Sequence, residues 1–161
     1  MPVSRKNNRL SSDNYSGKQI YFIIINTAKR ENIFIAENIV NEHLKTLQHV
    51  AHTLKFNVLS YCFMPNHLHL LVAGNLENSN LISFVKKYKQ ITGFAYKRQN
   101  DKTLWQKSYF DHVLRKNEDI SDSVQYILAN PVRKNIVERP RDYPYSGSFV
   151  YGDDVFENME G

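Results

Sequence analysis

Residues 56–73 read FNVLSYCFMPNHLHLLVA, two apolar runs that are separated by Met64-Pro65-Asn66. Proline and asparagine favour tight turns, and the runs on either side have the length and composition of β-strands. The stretch therefore predicts a β-hairpin with strands over residues 56–63 and 67–73. Its turn comes directly before the residues that carry the strongest chemical signal in the chain.

Two histidines, His67 and His69, begin the second strand of this hairpin. Side chains alternate faces along a strand, so the two imidazoles project to the same side. Neighbouring neutral imidazoles can bind one metal ion, provided that an acceptor holds the second nitrogen of each ring. Paired histidines also occur on solvent-facing strands that bind no metal. On spacing alone, both interpretations stay open.

The rest of the chain predicts a helix-backed antiparallel sheet. Apolar runs and helical periodicity predict a strand over 19–26, helices over 35–54 and 80–97, a fourth strand over 108–115 and a short helix over 118–130. The order strand, helix, strand, strand, helix, strand is that of an α+β, ferredoxin-like (RRM-like) split βαβ sandwich. The last helix follows this unit.

Length and composition indicate one domain. A chain of 161 residues with 42% hydrophobic content suits a single core. We expect a flexible arm over residues 1–16, one domain over 17–146 and a C-terminal tail over 147–161. The lone Cys62 cannot form an internal disulfide, which indicates a reducing compartment. No apolar run is long enough for a membrane span or a signal peptide. We therefore expect a cytoplasmic protein, associated with the nucleoid when it binds DNA.

The charge favours a polyanionic partner. Lysine and arginine number 21 against 16 acidic residues, for a net charge of +5. Basic residues concentrate over 86–98 and 133–141, and ten tyrosines and nine phenylalanines offer stacking surfaces for unpaired bases. The alternative is ordinary: basic residues often only solvate a helix face, and most aromatic residues belong to the core.

Tyr126 lies in the middle of the polar face of the last predicted helix. On a helical wheel, the acidic and polar positions fall within roughly 60° of it, and the apolar positions fall at roughly 100° or beyond. A packing tyrosine would more naturally join the apolar stripe, although tyrosines also occupy such boundaries. Asn130 shares the polar face if the helix continues, but the residue before a proline, here Pro131, is biased away from helix.

Four motifs then occur in order: residues 64–72 (MPNHLHLLV), 104–106 (LWQ), 109–112 (YFDH) and 126–133 (YILANPVR). Together they resemble the single-tyrosine transposases of the HUH superfamily, and above all the REP-associated tyrosine transposases. The resemblance extends from about residue 17 to residue 146.

This resemblance implies a metal-dependent transposase that cleaves and rejoins single-stranded DNA near hairpin or palindromic sequences. By motif, His67 and His69 match the pair that binds Mg²⁺ or Mn²⁺, and Tyr126 matches the nucleophile that forms a 5′-phosphotyrosine. Asn130 matches a position that is glutamine in related insertion-sequence enzymes and that can complete the metal site. The implied protein is a monomer or a homodimer.

Further residues complete these expectations. The side chains expected to contact DNA phosphates are Lys86, Lys87, Lys97, Arg98 and Arg133. Tyr88, Tyr96 and Tyr109 are fallback nucleophiles, His112 is interpreted as structural, and His43, His49 and His52 are interpreted as surface residues. Two rival functions remain: a non-catalytic nucleic-acid-binding module of the same fold, and a metal-dependent nuclease that uses water.

Overall fold

The computed structural model describes residues 15–159, so the arm predicted over residues 1–16 lies almost entirely outside the described residues. Tyr15, the first described residue, is already buried. The elements are β1 (Ile20–Asn26), α1 (Glu37–Leu54), β2 (Phe56–Met64), β3 (His67–Gly74), α2 (Leu81–Asn100), β4 (Phe110–Val113), α3 (Ile120–Leu128), α4 (Asn130–Arg133) and β5 (Ser146–Gly147). None of the helices in residues 15–159 combines the length and the apolar character that a bilayer crossing requires.

The sheet has the strand order β4-β1-β3-β2-β5, and every neighbouring pair is antiparallel. Strand β3 is central. It pairs with β1 from Ile20–Ala73 to Asn26–His67, and with β2 from Phe56–Gly74 to Met64–His67. The first four strands and two helices thus confirm the predicted α+β, ferredoxin-like arrangement, and β5 adds a short strand at the edge of β2.

The alternation along β3 divides the buried residues between two cores. Leu68 and Leu70 face the core beneath α1 and α2, where they meet apolar side chains of β1 and β2. Leu71 faces the opposite core, which it shares with Ile127 and Leu128 of α3. Because helices cover both faces, β3 is buried along most of its length, and its histidines lie on the α3 side.

The hairpin turn is fixed by the loop that follows β1. The backbone carbonyl of Asn66 accepts hydrogen bonds from both the N–H and the hydroxyl of Thr27, at 3.1 and 3.0 Å. The carbonyl of Pro65 accepts from the N–H groups of Ile33 and Phe34, at 2.7 and 3.0 Å. The turn that precedes His67 therefore has little freedom to move.

Side-chain caps set where the later helices begin. The side chain of Asn80 accepts a hydrogen bond from the N–H of Ser83 at 3.0 Å and starts α2. The carboxylate of Asp119 accepts from the N–H of Ser121 at 2.7 Å and starts α3. Both caps satisfy N–H groups that a helix leaves without an internal partner.

The segment after α4 returns to the edge of β2. The carbonyl of Tyr145 accepts from the N–H of Phe63 at 2.9 Å, and the Tyr143 hydroxyl donates to the Phe63 carbonyl. Further on, Phe156 is buried in the core beneath α3. This segment therefore shields the α3 side of the sheet.

The interpretation of His43 as a surface residue was wrong, whereas His49 and His52 are exposed as predicted. His43 is buried, and its Nδ1 lies 2.7 Å from the hydroxyl of Tyr88 on α2. It occupies the apolar face of α1, three residues after the buried Val40. Its polar ring is tolerated there because Tyr88 satisfies it.

Acid should destabilise the fold in part through His43. Burial lowers its pKa to about 4, against about 6.5 in an unfolded chain. Between these values the unfolded chain binds a proton that the folded protein does not, so the free energy of unfolding falls as the pH is lowered, by up to about 1.4 kcal/mol per pH unit. His43→Asn does not titrate and keeps an amide for Tyr88. We expect it to flatten this slope in urea unfolding measured between pH 7 and pH 4.5.

The matched control is His49→Asn, an exposed histidine on the same helix, which should leave the slope unchanged. If both variants kept the wild-type slope, the acid sensitivity would have to arise elsewhere.

Candidate active site

The two histidines of β3 meet at the surface of the sheet that faces α3. The Nε2 atoms of His67 and His69 lie 3.0 Å apart, and their ring centroids lie 4.7 Å apart. His69 is buried, and His67 is partly buried beside the hairpin turn. The structure thus places the predicted pair on one face, with nitrogens directed towards the same point.

The side chain of Asn66 fixes the protonation of His67. Its Oδ1 lies 2.7 Å from the Nδ1 of His67, and an amide oxygen can only accept, so Nδ1 carries the proton. The Nε2 atom of His67 therefore keeps its lone pair.

Burial and neighbouring cations keep both imidazoles neutral. Burial lowers the pKa of His67 to about 4, and the positive charges of Arg30 and Lys134 contribute. Burial lowers the pKa of His69 to about 3, with further contributions from His67 and Arg133. Near neutral pH, both rings can therefore act as ligands without first losing a proton.

These residues fit a divalent ion. Zinc–imidazole bonds are about 2.0–2.1 Å long, so two nitrogens 3.0 Å apart can bind one ion. Without an ion, a single proton must separate the two Nε2 atoms. Asn66 supplies the acceptor that the Nδ1 of His67 requires, whereas the buried Nδ1 of His69 has no hydrogen-bond partner among the described residues. Within residues 15–159, no three His, Cys, Asp or Glu side chains form a cluster, so a further protein ligand would have to be of another type, such as an amide.

Asn130 is the amide that the structure brings to the pair. It is buried, and its Nδ2 lies 3.5 Å from the Nε2 of His67, while its Oδ1 accepts from Arg133 Nη2 at 3.3 Å. The helix does not continue from Tyr126 to this residue. It ends at Leu128, and α4 begins with Asn130 and Pro131. A half-turn of the amide would direct its oxygen towards the histidines.

Tyr126 lies on the outer side of α3 with 46% of its surface exposed. The apolar face of the same helix, including Ile127 and Leu128, packs against the sheet. Phe22 of β1 contacts both Tyr126 and the histidine pair, with its ring centroid 6.0 Å from that of Tyr126 and 5.9 Å from that of His69. The phenol is therefore accessible, and Phe22 contacts both the Tyr126 ring and the His69 ring.

Arg133 joins the two helices at the site. Its Nη2 donates to the backbone carbonyl of Tyr126 at 2.8 Å, and its Cζ lies 4.0 Å from the centroid of the Tyr126 ring. We had predicted a contact with DNA phosphate for this residue. In the structure, Arg133 contacts Tyr126, the predicted nucleophile. The spacing of seven residues between them in the sequence did not indicate this contact.

Arg30 and Lys134 complete a basic rim around the histidines. Arg30 has a left-handed backbone conformation, with φ of 56°, and its guanidinium donates to the side chain of Asn26. Asn26 is the strand partner of His67. Nothing in the local sequence of Arg30 indicates that it approaches the histidines, whereas Lys134 belongs to the basic segment 133–141.

The remaining candidates lie elsewhere. The four predicted DNA contacts of α2, Lys86, Lys87, Lys97 and Arg98, are exposed, but α2 packs on the sheet face opposite the histidines. Tyr88 is buried and paired with His43, which removes it as a nucleophile. Tyr96 and Tyr109 are partly buried against the α1 and α2 core. His112 pairs with the carboxylate of Glu118 at 2.9 Å.

Comparison with known proteins gives a consistent result. Residues 16–130 match the family described as IS200-like transposases. A candidate REP-associated tyrosine transposase from Haemophilus influenzae is 27% identical over 138 residues, which cover 79% of this chain and 78% of the relative. A REP-associated tyrosine transposase from Escherichia coli is 24% identical over 134 residues, covering 78% of this chain and 74% of the relative.

Two solved structures share the fold. One is described as a REP-associated tyrosine transposase bound to a REP hairpin. It has a TM-score of 0.74 and 21% identity, and the match covers 100% of this chain and 89% of that one. A candidate transposase from Deinococcus radiodurans has a TM-score of 0.51 and 19% identity, with 84% and 98% covered.

We expect Arg133→Met to loosen the junction between α3 and α4. The change removes a hydrogen bond to the Tyr126 carbonyl and an exposed cation–π contact, together about 1 kcal/mol of unfolding free energy. Hydrogen exchange should become faster in residues 126–130. Lys134→Met, at the exposed neighbouring position, should change stability by less than about 0.5 kcal/mol. Equal effects of the two substitutions would contradict the assigned contacts.

Proposed function

Because the chain belongs to the IS200-like transposase family, we propose that it cleaves and rejoins single-stranded DNA at hairpin sequences through a 5′-phosphotyrosine on Tyr126. The observation that carries the proposal is the convergence of two neutral imidazoles, a buried amide and an accessible tyrosine on one face of the sheet. A structural relative described as bound to a REP hairpin supports hairpin DNA as the partner.

His67, His69 and Asn130 are the residues that would hold a divalent ion, Mg²⁺ or Mn²⁺. When bound, such an ion neutralises the charge of a phosphodiester and orients it for in-line displacement. Two imidazole ligands favour Mn²⁺ over Mg²⁺. The basic rim of Arg30, Arg133 and Lys134 adds positive charge where an anionic backbone would lie.

Tyr126 would supply the nucleophile. Its phenolic oxygen attacks phosphorus, the new P–O bond forms as the bond to the DNA 3′-oxygen breaks, and the phenolic proton passes to solvent because the side chain is half-exposed. The departing 3′-oxygen takes a proton from water. Arg133, stacked on the ring, stabilises the negative charge of the phenolate.

Rejoining requires no additional energy source. The phosphotyrosine bond retains the energy of the broken phosphodiester, so the 3′-hydroxyl of a second DNA end can attack it and release Tyr126. The contact of Phe22 with both His69 and Tyr126 supports a common site for cleavage and joining.

The direct test is a covalent adduct. We expect a single-stranded REP-like hairpin and Mn²⁺ to give a protein–DNA species that survives denaturing electrophoresis. Tyr126→Phe removes the attacking oxygen, and His67→Ala removes an imidazole ligand, so neither variant should form the adduct. Chelation of the metal should abolish it as well. Tyr151→Phe is the matched control, because Tyr151 is 45% exposed against 46% for Tyr126.

Each rival function predicts a different result. A nuclease that uses water would leave free 5′-phosphate ends without an adduct, and a binding module would shift the DNA without cleaving it. An adduct that persisted in Tyr126→Phe would assign the nucleophile to another residue.

The ligand role of Asn130 is testable by Mn²⁺ titration without DNA, followed by calorimetry or by the EPR signal of the free ion. We expect Asn130→Ala to weaken binding at least about tenfold. Asn130→Asp, which keeps an oxygen at the same position, should retain the affinity for Mn²⁺. Asn57→Ala, at an exposed asparagine of β2, is the control. If Asn130→Ala bound Mn²⁺ as tightly as the control, water rather than the amide would complete the site.

A further inference from the structure

A groove lies between α2 and the segment 103–109 that leads into β4. Its volume is about 500 Å³, within the range of pockets that hold small ligands. The residues that define it here are Ile82, Lys86, Phe94, Lys97, Trp105 and Lys107. We refer to it as the α2 groove. It is separate from the histidine pair, which lies on the opposite face of the sheet.

The rim of the α2 groove is positively charged. Lys86, Lys97 and Lys107 line it and are exposed, and Lys89 lies deeper, where its Nζ donates to the Gln106 carbonyl at 2.7 Å. Among the described residues that line the groove, none carries a carboxylate. This charge distribution complements an anionic ligand.

The mouth of the groove is also aromatic. Phe94 is 66% exposed on the surface of α2, and Ile82, about three turns earlier on the same helix and also lining the groove, is 44% exposed. The guanidinium of Arg98 lies 5.7 Å from the centroid of the Phe94 ring. An aromatic face flanked by cations is the arrangement that binds a base together with its phosphates, with little preference for sequence.

The floor of the groove is connected to the active site by backbone hydrogen bonds. The N–H of Gln106 donates to the carbonyl of Asn26 at 3.0 Å, and Asn26 is the strand partner of His67. Neighbouring strands are about 4.7–4.9 Å apart, so Gln106 and His67 are separated by about 10 Å of backbone. Arg30 follows β1 closely and is near enough to His67 to lower its pKa. A DNA strand can therefore pass from the histidines, around this end of the sheet and past Arg30, into the groove.

We propose that the α2 groove binds an unpaired nucleotide of the DNA strand that Tyr126 cleaves, with its base stacked on Phe94 and its flanking phosphates near Lys86, Lys97 and Lys107. A volume of about 500 Å³ is sufficient for one nucleotide. The inference rests on the proposed function for the identity of the polyanion. It adds a second contact on the same strand, a few nucleotides from the cleaved bond.

Trp105 provides the reporter, since it is the single tryptophan of the chain and lines the groove. The probe is hexathymidylate, which is unpaired and forms no hairpin, titrated into the full chain carrying Tyr126→Phe without metal, so that no cleavage occurs. We expect the added hexathymidylate to cause a saturable change in the fluorescence emission of Trp105. Phe94→Ala should weaken binding about tenfold or more, as expected for the loss of one base stack.

Matched variants isolate each contact. Ile35→Ala removes an apolar side chain with the same 66% exposure on another surface, and it should leave affinity unchanged. The double change Lys86→Gln and Lys97→Gln should reduce the slope of log affinity against log salt by about 1.4, or about 0.7 for each lost phosphate contact. Lys45→Gln, on the exposed face of α1, should not change that slope.

Three results would overturn the proposal: binding seen by fluorescence anisotropy with no change in Trp105 emission, equal affinities for Phe94→Ala and Ile35→Ala, or equal competition by a blunt duplex. The adduct assay separates this failure from failure of the proposed function. An adduct that depends on Tyr126, without a Trp105 response, retains the transposase chemistry and rejects the groove. A Trp105 response that depends on Phe94, without any adduct, retains the groove and rejects the chemistry.

Discussion

The position of β3 between β1 and β2 determines where every other functional group lies. With strands on both sides and helices on both faces, each side chain of β3 faces either the α1 and α2 side or the α3 side of the sheet. A slip of one residue would place His67 and His69 beneath α1 and α2, and would place Leu68 and Leu70 on the α3 side. The cost of burying the imidazoles among apolar side chains therefore protects the register.

The same strand pairing orders the surroundings of the two histidines. Thr27 holds the Asn66 backbone, the Asn66 side chain sets the proton on His67, and His67 in turn faces His69. Each link is short, and each partner is on an element already fixed by the sheet. Cations at the rim disfavour protonation of the two rings, and they also attract a phosphate. The same cations thus keep the two imidazoles neutral and would attract the DNA substrate that we propose.

Local sequence pattern predicted the elements whose side chains repeat with a clear period. The alternation of β3 and the stripe of α1 and α2 correspond to the observed strands and helices, and the helical wheel placed Tyr126 on an exposed face. Pattern failed where a partner comes from a distant part of the chain. His43 is buried because Tyr88 of α2 satisfies it, which its own helix does not reveal. Arg30 reaches the site only through the pairing of Asn26 with His67.

The break between α3 and α4 shows the limits of pattern in another way. Pro131 correctly indicated that the helix stops, but not that a new helix would start at once and return Asn130 to the histidines. The break also exposes the last carbonyls of α3, which have no partner inside the helix. Arg133 binds one of them, on Tyr126, so it contacts both the backbone and the ring of the residue that we propose as the nucleophile. A substitution at position 133 should therefore affect both the end of α3 and the proposed chemistry. Lysine would preserve the positive charge there but would lose the planar guanidinium that makes both contacts with Tyr126.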